Sequence, residues 1–75
     1  MELTELADEY LKQANKLLER IHRLNKRLPH LSGNDRLALK RRIMSLYVDA
    51  AECRKYAQHM KNYRKGEQND EQNNL

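Results

Sequence analysis

The chain has 75 residues, 35% of them charged and 39% hydrophobic, with one proline, two glycines and no tryptophan or phenylalanine. This length excludes several domains, and so few turn-forming residues disfavour a sheet of short strands. The formal net charge is +4, and the single cysteine, Cys53, excludes an intramolecular disulfide and a zinc site of several thiolates. We therefore expect one small all-α domain.

The first predicted helix covers about residues 2–28. Its apolar residues recur at alternating steps of four and three, the heptad spacing that aligns one face of a helix. Pro29 is predicted to end the helix, because its ring disfavours helical geometry at the residue before it. The residues of this first seam are Leu3, Ala7, Tyr10, Ala14, Leu17, Ile21, Leu24 and Leu28.

A turn over residues 29–32 leads to a second predicted helix over about 33–64. The segment Ser32–Asp35 resembles a capping box, in which side chains bond the first free N–H groups of a helix. Gly66 is predicted to end this helix, and the polar residues 66–75 are predicted to be disordered. The residues of the second seam are Leu39, Ile43, Leu46, Ala50, Cys53, Ala57 and Met60.

The short connection predicts an antiparallel two-helix hairpin over residues 1–65. One helix–helix contact buries too little apolar surface to offset the entropy lost in ordering two long helices. We therefore expect a homodimer that forms a four-helix bundle. The residues predicted to be most buried are Leu17, Ile21, Leu24, Leu39, Ile43 and Leu46. The residues predicted to mediate self-association are Leu11, Leu18, Met44 and Tyr47.

Positive charge concentrates around the predicted turn. Residues 20–42 contain eight lysines or arginines and one acidic residue, Asp35, a local charge of +7. We call the eight side chains the basic corner: Arg20, Arg23, Lys26, Arg27, Arg36, Lys40, Arg41 and Arg42. They form either a solvated surface or a site for phosphate groups. The proposed phosphate contacts are Arg27, Arg36, Lys40, Arg41 and Arg42.

Few other side chains suggest chemistry. The three histidines are expected on the surface, and we predict no metal, no cofactor and no enzymatic activity. Tyr56 and Tyr63 lie two turns apart among basic residues, so they serve either a partner surface or packing against a second protomer. The acidic N-terminus lacks the features of a signal peptide and no apolar run could span a membrane, so we expect a cytoplasmic protein without a membrane partner.

The runs MELTELADEYLKQA and LSGNDRLALKRRI resemble short uncharacterised helical proteins of bacterial conjugative and prophage elements. The resemblance covers nearly the whole helical region. It implies no established activity, but it favours a small accessory factor tied to DNA transfer or its regulation.

Two functions follow as hypotheses. The first is a non-enzymatic interaction or assembly module whose partner is a second copy or another helical protein. The second is a small nucleic-acid-binding accessory protein that uses the basic corner. The length of both predicted helices argues against a repressor-type helix-turn-helix, which needs short helices and a free recognition helix.

Overall fold

The computed structural model describes residues 2–68, with side chains described for residues 2–63. Two long helices, α1 (Leu3–Arg27) and α2 (Gly33–Gln68), are joined by one 3₁₀ turn at Leu28–His30. The helices pack against each other as a hairpin measuring 57 × 26 × 14 Å. The predicted all-α hairpin is confirmed, and neither helix within the described residues is long and apolar enough to cross a membrane.

The chain reverses direction between Leu28 and Gly33. Pro29 lies in the first turn of the 3₁₀ segment, where its missing N–H removes no helical hydrogen bond. The N–H of Leu31 donates to the carbonyl oxygen of Leu28 at 3.1 Å. Gly33 then adopts a φ of +59°, in the left-handed region that glycine occupies without steric cost.

The capping box predicted at Ser32–Asp35 is not formed. Among residues 2–63, the side chains of Ser32 and Asp35 make no hydrogen bond. A capping box requires helical geometry at the residues directly after the cap, and the positive φ of Gly33 breaks that geometry. The carbonyl oxygen of Ser32 still accepts the N–H of Arg36, at 3.5 Å.

The hairpin core lies along the two predicted seams. Near the turn, large side chains of α1 and α2 form a cluster. Further from the turn, the buried side chains among residues 2–63 are small. The cluster near the turn consists of Ile21, Leu39, Ile43 and Leu46, with Leu17, Leu18, Leu24, Leu28 and Leu31 packed around it. The small buried residues are Ala7, Ala14, Ala50 and Ala57.

The predicted burial is right for four of the six residues named from the sequence. Ile21, Leu39, Ile43 and Leu46 are buried, whereas Leu17 and Leu24 are only half-buried. Both leucines lie at the edge of the α1 seam, and an interface between two helices has no third element to cover its edges. Complete burial was therefore the wrong expectation for these two residues.

The C-terminal boundary of α2 differs from the prediction. The helix continues through Gly66 to Gln68, so Gly66 lies within it rather than capping it. Glycine in a helix costs only about 1 kcal/mol relative to alanine, which is too little by itself to end a long helix. Residues 66–68 are thus helical, and the rest of the predicted disordered tail, 69–75, lies outside the described residues.

Candidate interaction surfaces

Among the described side chains, four of the exposed large apolar residues form a row on α2. Met44 is 65% exposed, Val48 54%, and Leu37 and Tyr47 47% each. Val48 follows the buried Leu39 by two and a half helical turns, so it lies on the opposite face of α2. We call this row the outer stripe: Leu37, Met44, Val48 and the exposed Ala51, with Tyr47 at its edge.

The outer stripe only partly matches the residues predicted to mediate self-association. Met44 and Tyr47 are exposed on α2, as that role requires. Leu11 and Leu18 on α1 are half-buried, and Leu18 packs against the hairpin's own core. The four residues therefore do not form one exposed surface, because two of them already help to cover the helix–helix contact.

Val48 is an interaction candidate that the sequence reasoning missed. From α2, the sequence-based prediction named Met44 and Tyr47 for self-association but not Val48. Helical geometry separates the apolar residues of α2 into two opposite faces, because each residue advances the side chain by about 100°. The spacing of Leu37, Met44 and Val48 from the buried Leu39 contained this signal.

All eight side chains of the basic corner are exposed, but they do not form a single face. Arg27 and Arg42 line one side, around a shallow cavity of about 540 Å³ that also contains Asp35. Lys40 precedes Arg42 by two residues, so its side chain is rotated by about 200° and lies on the far side of α2. The rest of the cavity wall is apolar and consists of Leu31, Ala38 and Leu39.

The remaining two phosphate candidates are also dispersed. Arg36 lies one turn before Lys40 and shares its side of α2, whereas Arg41 lies along the outer stripe. The structure therefore brings Arg27 and Arg42 together, and separately Arg36 and Lys40. It does not bring all five side chains to one surface.

The two C-terminal tyrosines have different surroundings at the open end of the hairpin. The ring of Tyr56 packs against that of Tyr10 on α1, with ring centroids 5.6 Å apart and planes tilted by 53°. Tyr63 is exposed and lines a cavity of about 550 Å³ with Leu3 and Met60. Tyr56 thus contributes to the contact between α1 and α2, whereas Tyr63 is exposed at the open end of the hairpin.

The titratable side chains are dispersed over the surface. His22, His30 and His59 are exposed, and Cys53 is half-buried in the seam of α2. Across the part of the chain that the structure describes, no three His, Cys, Asp or Glu side chains are grouped for a metal ion. The salt bridge between Lys12 and Glu9, at 3.8 Å, lies on the surface of α1.

Comparison with protein-family models, with curated proteins and with solved structures finds no match to this chain. The resemblance to proteins of mobile elements and the cytoplasmic location therefore stay predictions. The outer stripe and the basic corner are the two surfaces from which a function can be inferred.

Proposed function

We propose that this chain is a non-enzymatic interaction module that binds a second helix along the outer stripe of α2. The observation that carries this proposal is that α2 is apolar on two opposite faces, of which α1 covers one. A helix with apolar residues on both faces is typical of one that packs between two others. The outer stripe is therefore the surface that a partner helix covers.

The shape of the hairpin supports the same function. At 14 Å in its shortest dimension, the molecule is little thicker than one helix with its side chains. Small domains normally bury their apolar faces between packed layers. A second copy of the chain can supply the missing helix without another protein. Homodimers are also the commonest soluble oligomers.

Val48→Glu is expected to abolish self-association, because it places a charge at the centre of the apolar contact. Sedimentation equilibrium of the wild-type chain at micromolar concentrations should give a dimer, and the variant should sediment as a monomer. Asn15→Glu adds the same charge at an exposed position of α1 and should leave the dimer intact. Circular dichroism should show the same helix content for all three proteins.

Two results would contradict the proposal. One is a wild-type chain that stays monomeric at concentrations of about 100 µM, which corresponds to association weaker than roughly 5.5 kcal/mol. The other is a dimer that Val48→Glu and Asn15→Glu affect equally.

A second candidate function is binding of the nucleic-acid backbone by the basic corner. It is favoured by the exposure of all eight basic side chains at the turn end of the hairpin. Lysine and arginine contacts to phosphate position a protein without reading bases, so weak sequence selectivity is expected. This function is compatible with the first, because the basic corner and most of the outer stripe occupy different surfaces.

The salt dependence of DNA binding should be shallower than the number of basic side chains suggests. Arg27 and Arg42 share one side of the corner, so a straight duplex can contact only two or three of the five predicted side chains. The expected slope of log affinity against log salt is about −2 to −3, whereas five contacts would give about −4 to −5. Fluorescence anisotropy with a labelled duplex at several salt concentrations measures the slope.

The matched variants compare two pairs of basic residues. Arg27→Ala/Arg42→Ala should weaken binding, whereas Lys12→Ala/Lys16→Ala removes the same charge from the exposed surface of α1, away from the turn and the outer stripe, and should weaken it less. Equal losses would show that net charge alone drives binding. If the protein does not bind DNA at low salt, the basic corner is a solvated surface rather than a phosphate-binding site.

A further inference from the structure

We infer that the helix covering the outer stripe is α2 of a second copy, running antiparallel and centred near residue 46. This inference rests on the proposed function and specifies its partner and register. It follows from the spacing of the outer stripe and from the charges beside it.

The outer stripe forms a heptad seam of its own. Along α2, the residues of this face follow each other at steps of four, three, four, three and four. In an antiparallel pair centred at residue 46, residues whose numbers add up to about 92 face each other. Met44 then packs against Val48 of the other copy, and the same contact recurs across the two-fold axis. The residues of this face are Leu37, Arg41, Met44, Val48, Ala51 and Lys55.

The charges on this face select the antiparallel direction. In the antiparallel register, Arg41 lies over Ala51 of the other copy, whose small side chain leaves room for the guanidinium to reach the neighbouring Glu52. The two-fold axis makes this ion pair twice. In a parallel pair, each residue would face its own counterpart, so Arg41 would meet Arg41 and Lys55 would meet Lys55. Such like-charge contacts would destabilise the parallel pair, so they favour the antiparallel one.

The positive charge of the basic corner also favours the antiparallel dimer, through repulsion over a longer distance. Residues 20–42 carry a charge of +7 in a chain of net +4, so the remaining residues carry −3. A parallel dimer would place two such corners side by side. The antiparallel dimer places residues 36–42 of each corner beside residues 50–56 of the other copy, where Glu52, Arg54 and Lys55 add up to only +1, so the repulsion is much weaker than between two corners.

The resulting assembly differs in shape from the four-helix bundle expected from the sequence. The outer stripe lies opposite the seam that contacts α1, so each α2 packs between its own α1 and the other α2. The four helices then lie side by side in one layer, with the two α1 helices outermost. Arg27 and Arg42 remain accessible in this arrangement.

A charge exchange between Arg41 and Glu52 tests this register. Arg41→Glu and Glu52→Arg should each raise the dissociation constant of the dimer about tenfold, because each replaces two attractive contacts by two repulsive ones. The double variant should return to within about threefold of the wild type. Lys16→Glu, which makes the same charge change as Arg41→Glu on the exposed surface of α1 outside the basic corner, should change the constant less than about threefold.

The outcomes separate the register from the proposed function. If Val48→Glu dissociates the dimer but the double variant does not recover affinity, the antiparallel register is wrong and the role of the outer stripe stands. If Val48→Glu leaves the dimer intact, both are wrong. Recovery in the double variant, with an unaffected Lys16→Glu control, supports the register.

Discussion

Replacing Ile21 by alanine is expected to lower the free energy of unfolding by about 3 kcal/mol. Ile21 is 2% exposed and is the largest side chain that the hairpin buries completely among the residues described. Its truncation leaves a cavity inside the cluster of Leu39, Ile43 and Leu46. For a domain of this size, the loss is a large part of the total stability. Urea unfolding followed by circular dichroism measures it.

A graded control distinguishes the cavity from a general effect of substitution. Ile21→Val removes one methylene and should cost about 1 kcal/mol. Both variants are compared at one protein concentration, because association of the folded state adds to the apparent stability. Equal stability of Ile21→Ala and the wild type would mean that α1 does not use this face to pack against α2.

Enlarging Ala14 to leucine is expected to destabilise the hairpin by about 1–3 kcal/mol. Ala7 and Ala14 are 0% exposed, and the buried residues in the half of α2 away from the turn, Ala50 and Ala57, are equally small. The helices therefore approach closely here, and a larger side chain must displace them. Thermal unfolding should show a lower midpoint than that of the wild type.

The matched control is Ala38→Leu on α2. Ala38 is exposed, so the same increase in size meets open space and should leave the stability within about 0.5 kcal/mol of the wild type. If Ala14→Leu is as stable as this control, the alanine half of the hairpin is not closely packed.

The inward face of each helix could be predicted from the sequence because heptad spacing translates directly into position around a helix. Ile43, Leu46 and Ala50 were placed in the seam on spacing alone, and the structure buries all three. The position of the turn could also be predicted, because Pro29 lacks the N–H that a helix interior needs and Gly33 can adopt a positive φ without steric cost.

The surfaces were harder to predict because they depend on how the two helices are placed relative to each other. The count of basic residues near the turn says nothing about which of them share a side. Arg27 and Arg42 come together only through the 3₁₀ turn and the positive φ of Gly33. In the same way, Leu18 was predicted to mediate self-association, but it packs against the core because α2 folds back over α1.

The central claim, that two copies associate through the outer stripe of α2, is tested most directly by spin–spin distances within the dimer. Ser45→Cys and Gln58→Cys, each combined with Cys53→Ala, provide exposed labelling sites on α2. For antiparallel helices centred at residue 46, labels at 45 lie close together, near the interhelical separation of about 8–10 Å. Labels at 58 lie about 36 Å apart along the helix axis. Long distances at both positions would contradict association through the outer stripe, and short distances at both would show a parallel pair and contradict the antiparallel register.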